Sequence, residues 1–153
     1  MGEVGPFIGV LPHVIEFLAA IGVLDEAPVF TSSATFSAAE NQTAIGTVTA
    51  TDVDTDNSAI TFTVSGSELS ITSDGVLSFA SAPDYETKTS YTATVTATDG
   101  TNSTDQSITV SVNDVNEAPA FTSLATFSAD EKQTSIGTVT ATDIENDTLT
   151  YSR

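Results

Sequence analysis

The chain has 153 residues, with 21 Asp and Glu against three Lys and Arg, a formal net charge of −18, no Cys and one His. Such a balance cannot neutralise a phosphate backbone, so nucleic acids and anionic membrane surfaces are poor partners. The missing Cys excludes disulfides, thiolate catalysis and Cys-ligated metals, and the lone His13 excludes Ser-His and two-His sites built from this chain alone.

Residues 1–24 are apolar but interrupted by Glu3, Pro6, Pro12 and Glu16. A spanning helix needs about 20 apolar residues, and the basic start of a secretory signal is missing. This stretch is left unassigned as the remnant of an upstream segment, with a short helix expected over 13–21 and no partner for His13. From Phe30 onward the apolar period is two, the signature of strands. Ile60, Phe62 and Val64 alternate with Thr, as do Tyr91, Ala93, Val95 and Ala97, and Ile108, Val110 and Val112 continue the pattern. With the runs at 30–36, 45–50, 69–71 and 76–79 they make seven short strands, which predicts an all-β, antiparallel Greek-key sandwich. Its expected core is Phe30, Phe36, Val48, Phe62, Phe79, Tyr91, Val95 and Val110, with solvent-side partners that are mostly Thr and Ser. Asp74-Gly75 and Asp99-Gly100 supply the positive-φ turn residues a hairpin needs.

The chain repeats itself with a period of 91: Glu26–Asp52 and Glu117–Asp143 agree at 22 of 27 positions. The expected organisation is an unassigned segment over 1–24, a complete repeat over 25–114 and the start of a second over 115–153, a piece of a longer array.

Acidic residues gather where strands end: Glu40, Asp84 and Glu86, Asp114 to Glu117, and Asp143, Glu145 and Asp147, the last set matched in the first repeat by Asp52, Asp54, Asp56 and Asn57. In a sandwich, Glu40 with Asp84 and Glu86 falls at the C-terminal pole, and Asp52, Asp54 and Asp99 at the opposite one. Stacked end to end, two repeats would bring eight carboxylates together. Two unit charges about 5 Å apart repel by about 3 kcal/mol at an effective dielectric of 20, so cations are required. Hard oxygen ligands in that number suit calcium, which takes six to eight, and two or three ions could share the cluster.

Glu40, then Asp84-Tyr85-Glu86, then Asp114-Val115-Asn116-Glu117-Ala118-Pro119, then Asp143-x-Glu145 resembles the calcium motifs of the cadherin repeat over residues 25–153, and is most similar to such repeats in large bacterial surface or secreted proteins. The resemblance implies that Glu40, Asp84, Glu86, Asp114 and Glu117 hold the first Ca2+ ions and that Asn116, Asp143, Glu145 and Asp147 hold the ion on the far side. It implies an extracellular or cell-surface module that supports adhesion, with neighbouring repeats as partners and other surface proteins or glycans as further ones. Glu117 stands where the family usually has Asp, and Val23 stands where the first repeat would need the counterpart of Asp114. Asp52, Asp54, Asn57 and Asp99 then form half a site awaiting a neighbour.

An enzyme is not expected. Asp84 and Glu86 could imitate a glycosidase pair, but the chain has no Trp, and its aromatics mostly occupy core positions, leaving no platform for a sugar ring. Without Trp, adhesion by swapping a Trp-anchored strand is unavailable too. Asn41, Asn102 and Asn146 head N-x-S/T sequons but read as loop and strand residues. Two rivals remain: an accessory or spacer module of a secreted polysaccharide-active protein, and a calcium-independent immunoglobulin-like sandwich.

Overall fold

A computed structural model describes residues 24–152. The helix expected over 13–21 and the lone His13 lie outside the described residues. The chain divides into two compact units, Met1–Asn113 and Asp114–Arg153.

Among the described residues, unit 1 contains nine strands: β1 (Val29–Phe30), β2 (Thr35–Ala39), β3 (Ala44–Thr47), β4 (Ala50–Thr51), β5 (Thr61–Val64), β6 (Leu69–Ile71), β7 (Val76–Phe79), β8 (Ser90–Thr98) and β9 (Ser103–Asn113). A 3-10 turn, Asn57–Ala59, precedes β5. A four-stranded sheet in the order β2-β9-β8-β5 faces a three-stranded sheet in the order β3-β7-β6, and β1 pairs with β4. Two of the seven expected strands are therefore each broken in two. The run from Phe30 to Phe36 splits because its first half pairs with β4 and its second half with β9, and one straight strand cannot join both sheets. The all-antiparallel expectation also needs correcting, since β2 runs parallel to β9, with Thr35 opposite Thr109 and Ala39 opposite Asn113.

The alternation read from the sequence becomes the two faces of the sandwich. Val48, Phe62, Phe79, Val95 and Val110 are buried as expected, with Phe30, Phe36 and Tyr91 packed against them. Ala38, Ile60, Leu69, Leu77, Ala97, Ile108 and Val112 complete the buried cluster. Gly75 closes the β6–β7 hairpin at φ 88°, and a Cβ there would stand 2.2 Å from the Val48 carbonyl oxygen. The same residue's carbonyl accepts the Val48 N–H at 2.8 Å, so the backbone cannot retreat without losing that bond. Gly75→Ala is expected to destabilise unit 1 by about 2 kcal/mol or more, read as a lowered urea midpoint at constant slope.

Unit 2 repeats the opening of unit 1 in geometry. Strand β10 (Ala120–Phe121) pairs with β11 (Ala141–Thr142) in the β1–β4 register displaced by 91 residues. The hydroxyl contact Thr31–Thr49 at 2.8 Å returns as Thr122–Thr140 at 2.8 Å. The segments matching β2 and β3 form no strands here. Their apolar side chains are open, with Phe127 43% and Ile136 64% exposed.

Candidate metal centre

At the C-terminal pole of unit 1, three segments meet. Glu40 N–H donates to the Asn113 carbonyl at 3.0 Å, and Asn41 N–H to the Pro83 carbonyl at 3.0 Å, which ties the end of β2 to the end of β9 and to the loop before β8. Glu40 is 3% exposed, the one buried charged residue among the described residues. Its Oε2 accepts the Tyr85 N–H at 2.8 Å. Carboxylate oxygens of Glu40 and Glu86 lie within 4.8 Å of each other, close enough for one cation to bridge. Asp84 is occupied differently, since its two oxygens accept the Thr87 N–H at 3.1 Å and the Thr87 hydroxyl at 3.0 Å and cap the turn that presents Glu86.

At the opposite pole, Asp52 organises a tight loop. Its Oδ1 accepts the N–H groups of Asp54 at 3.0 Å and Thr55 at 2.9 Å, and its own N–H donates to Asn57 Oδ1 at 2.9 Å. Asp99 does the same for the β8–β9 hairpin, where its Oδ1 accepts the N–H groups of Thr101 at 2.6 Å and Asn102 at 2.7 Å. Both loops grip one dipeptide: Asp54 Oδ2 accepts the Glu26 N–H at 2.8 Å, and Asn102 Nδ2 donates to the Asp25 carbonyl at 3.1 Å. The second oxygens, Asp52 Oδ2 and Asp99 Oδ2, are out of contact with solvent and accept no hydrogen bond. Buried anionic oxygens without donors are costly, and a cation is the chemistry that would satisfy them. Asn102 was read from sequence only as a sequon; its place just past the Asp99-Gly100 turn was the available signal for its role as a clasp.

In unit 2 the same loop recurs. Asp143 Oδ1 accepts the N–H groups of Glu145 and Asp147, both at 3.2 Å, and the Glu117 N–H points to Glu145 Oε1 at 3.5 Å. Asn116 Nδ2 donates to the adjacent Glu117 carbonyl at 3.0 Å. Asp114, the first residue of unit 2, is exposed.

Crowded carboxylates distort one another's titration. Burial works to raise Asp52, but hydrogen bonds from the Asp54 side chain and from the loop N–H groups outweigh it and hold its carboxyl below the ordinary value. Asp54 is pushed up, chiefly by sharing a proton with Asp52 and only partly offset by the Glu26 N–H. Glu145 is pushed up mainly by the neighbouring Glu117 side chain, with burial adding to it. A carboxyl raised in the folded state holds a proton that the unfolded chain has already released. In chelator, Asp54 and Glu145 should therefore make stability fall as pH climbs from the ordinary carboxylate value into the range just above it. With calcium present, the ligands must be deprotonated and the slope should reverse. Melting temperature against pH in the two buffers reads both slopes, and a flat chelator curve would remove the shared proton.

The sequence profile described as "Cadherin domain" matches residues 34–113, more than half of the chain. Among solved structures, human protocadherin-24 EC1-2 aligns with TM-score 0.58 at 24% identity over 79% of this chain and 61% of that one, a likeness of fold alone. Mouse cadherin-23 EC22-24 aligns with TM-score 0.51 at 28% identity over 76% and 43%. Among curated proteins, chitinase A of Pseudoalteromonas piscicida is 36% identical over 103 residues, 65% of this chain, which spans 13% of that protein's length. The profile match and the sandwich together establish that this chain belongs to the cadherin domain family.

Proposed function

We propose that the chain is a calcium-binding extracellular module of a tandem array, in which divalent cations held by carboxylates at the sandwich poles fix the junctions between successive repeats. The observation that carries this reading is the pair of solvent-excluded carboxylate oxygens, Asp52 Oδ2 and Asp99 Oδ2, each met by no N–H group, on two loops that grip the same incoming dipeptide. Asp52, Asp54, Asn57 and Asp99 would hold an ion at one pole. Glu40 and Glu86 would serve the other, where Asp84 caps the turn that presents Glu86. In the second repeat the candidates are Asp114, Asn116, Glu117, Asp143, Glu145 and Asp147. The cation would supply charge neutralisation; the protein's part is to hold oxygens in place before it arrives. Extracellular modules commonly bind calcium at about 10⁻⁴ to 10⁻³ M, which suits fluid outside the cell, where the array would serve a surface protein in adhesion. Calorimetric titration should give saturable calcium heat in that range, reduced in Asp52→Asn and Asp99→Asn; the absence of heat would return the chain to a calcium-independent sandwich.

The likeness to chitinase A favours a second reading, an accessory module of a secreted polysaccharide-active protein. The two are compatible at the level of the fold, since a stiff spacer serves either setting and neither requires a catalytic residue in this chain.

A further inference from the structure

The face of unit 1 that carries no carboxylate cluster has a chemistry of its own. On the four-stranded sheet, the outward residues stand in cross-strand rows: Thr35, Thr109 and Thr92; Ser37, Ser111 and Ser90; Ser107 and Thr94; Asp105, Thr96 and Thr63; Ser103, Thr98 and Thr61. Apart from the Ala39–Asn113 pair at one end, every outward residue is Ser or Thr except Asp105. In a chain of net charge −18, that makes a nearly charge-free surface. Its hydroxyls are spaced about 4.8 Å across strands and about 6.7 Å along them. Near its centre lies a shallow depression of about 350 Å³, lined by Ser65, Thr92, Thr94, Ser107 and Thr109 together with Ala93 and Ile108. Ser65 at its rim is fixed, because the Thr94 N–H donates to Ser65 Oγ at 2.9 Å and the Ser65 N–H donates to the Thr94 carbonyl at 2.9 Å.

We infer that this hydroxyl-lined depression on the β2-β9-β8-β5 face binds a neutral polysaccharide chain. Hydroxyls both donate and accept, so they match a ligand that presents hydroxyl and amide groups in a regular row. An anionic polymer would meet a repulsive field and no Lys or Arg on this face, and an apolar partner would leave the hydroxyls without hydrogen bonds. Calcium at the poles is a separate matter, because the face contains none of the proposed ligands. The choice of polymer, though not the face, rests on the accessory-module reading. With no aromatic ring among the outward residues of this face, binding depends on hydrogen bonds exchanged with water, so the dissociation constant for a soluble hexasaccharide should be on the order of 1 mM. Tight retention would then need many modules along one polymer.

Nuclear magnetic resonance of the isotope-labelled chain in calcium buffer, titrated with N-acetylchitohexaose and separately with cellohexaose, tests this directly. The expected result is saturable amide shifts confined to the strands around Thr92, Thr94, Ser107 and Thr109. Thr92→Val/Thr109→Val keeps β propensity, removes two hydroxyls and should weaken binding about tenfold while its amide pattern still reports the native fold. No shift with either sugar overturns the proposal and leaves the accessory-module reading standing as a spacer. Shifts confined to other surfaces, or unchanged affinity in the double variant, overturn the face while leaving sugar recognition in place.

Discussion

Calcium at 10 mM should raise the melting temperature of the chelator-treated protein by roughly 10 °C, the largest ligand effect expected. One site of dissociation constant about 10⁻⁴ to 10⁻³ M contributes about 1.4 to 2.7 kcal/mol at that concentration. For a unit of this size each kcal/mol moves the melting temperature by about 4 to 8 °C. The effect should be greatest at low salt, since part of the penalty that calcium relieves is repulsion between exposed carboxylates. Magnesium at the same concentration should do much less, because it demands an octahedral shell and gives up water reluctantly. Coincident melting curves in calcium and in chelator would sink the metal reading.

Variants separate the poles. Asp99→Asn keeps the Oδ1 acceptor that orders Thr101 and Asn102 and removes the charge, so it should preserve the fold and lose most of the calcium shift. Glu40→Gln is a harsher change. Glu40 is 3% exposed and accepts the Tyr85 N–H, so the amide must present its oxygen there and aim its NH₂ group toward Glu86, where an ion would no longer be held. The calcium shift should fall, with some loss of stability in chelator as well.

Much of this was legible from the amino-acid order because strands alternate. Thr at every second position from Tyr91 to Thr98 could only mean one wet face and one dry face, and the structure buries Val95 and Ala97 completely. The break between β1 and β2 was not legible. Ser32, Ser33 and Ala34 are as compatible with a continuing strand as with a crossing, and only the presence of β4 and β9 as partners decides it. Unit 2 makes the same point, since the residues matching β2 and β3 differ little in sequence yet form no ladder among the described residues. Propensity proposes a strand; a partner makes it. At the poles, the Asp52 and Asp143 loops were visible as short acidic motifs, whereas the diversion of Asp84 into a turn cap depended on Thr87, whose hydroxyl carries no signal by itself. The joining of Asp99 to Asp25 through Asn102 spans 77 residues and appears only once the hairpin is folded.

Leu77→Ala should be the most damaging single truncation of the core, lowering stability by about 3 kcal/mol and the melting temperature by roughly 15 °C. Leu77 is fully buried in β7, the central strand of the three-stranded sheet, opposite Gly46 on one side and Ile71 on the other. Gly46 has no side chain to move into the gap, and the Phe36 ring already lies 3.5 Å from where a Cβ on Gly46 would stand. The cavity should therefore persist rather than collapse. Because Leu77 is not among the residues that shape either pole, its loss and the gain from calcium should add: the variant should melt lower in both buffers and keep the calcium increment of the parent. Val76→Ala is the matched control, since Val76 is 51% exposed on the same strand and its truncation should cost about 0.5 kcal/mol or less. A calcium increment that vanished with Leu77 would mean that the poles are ordered only through the core, and the assignment of the ion's effect to the Asp52 and Asp99 loops would have to be abandoned.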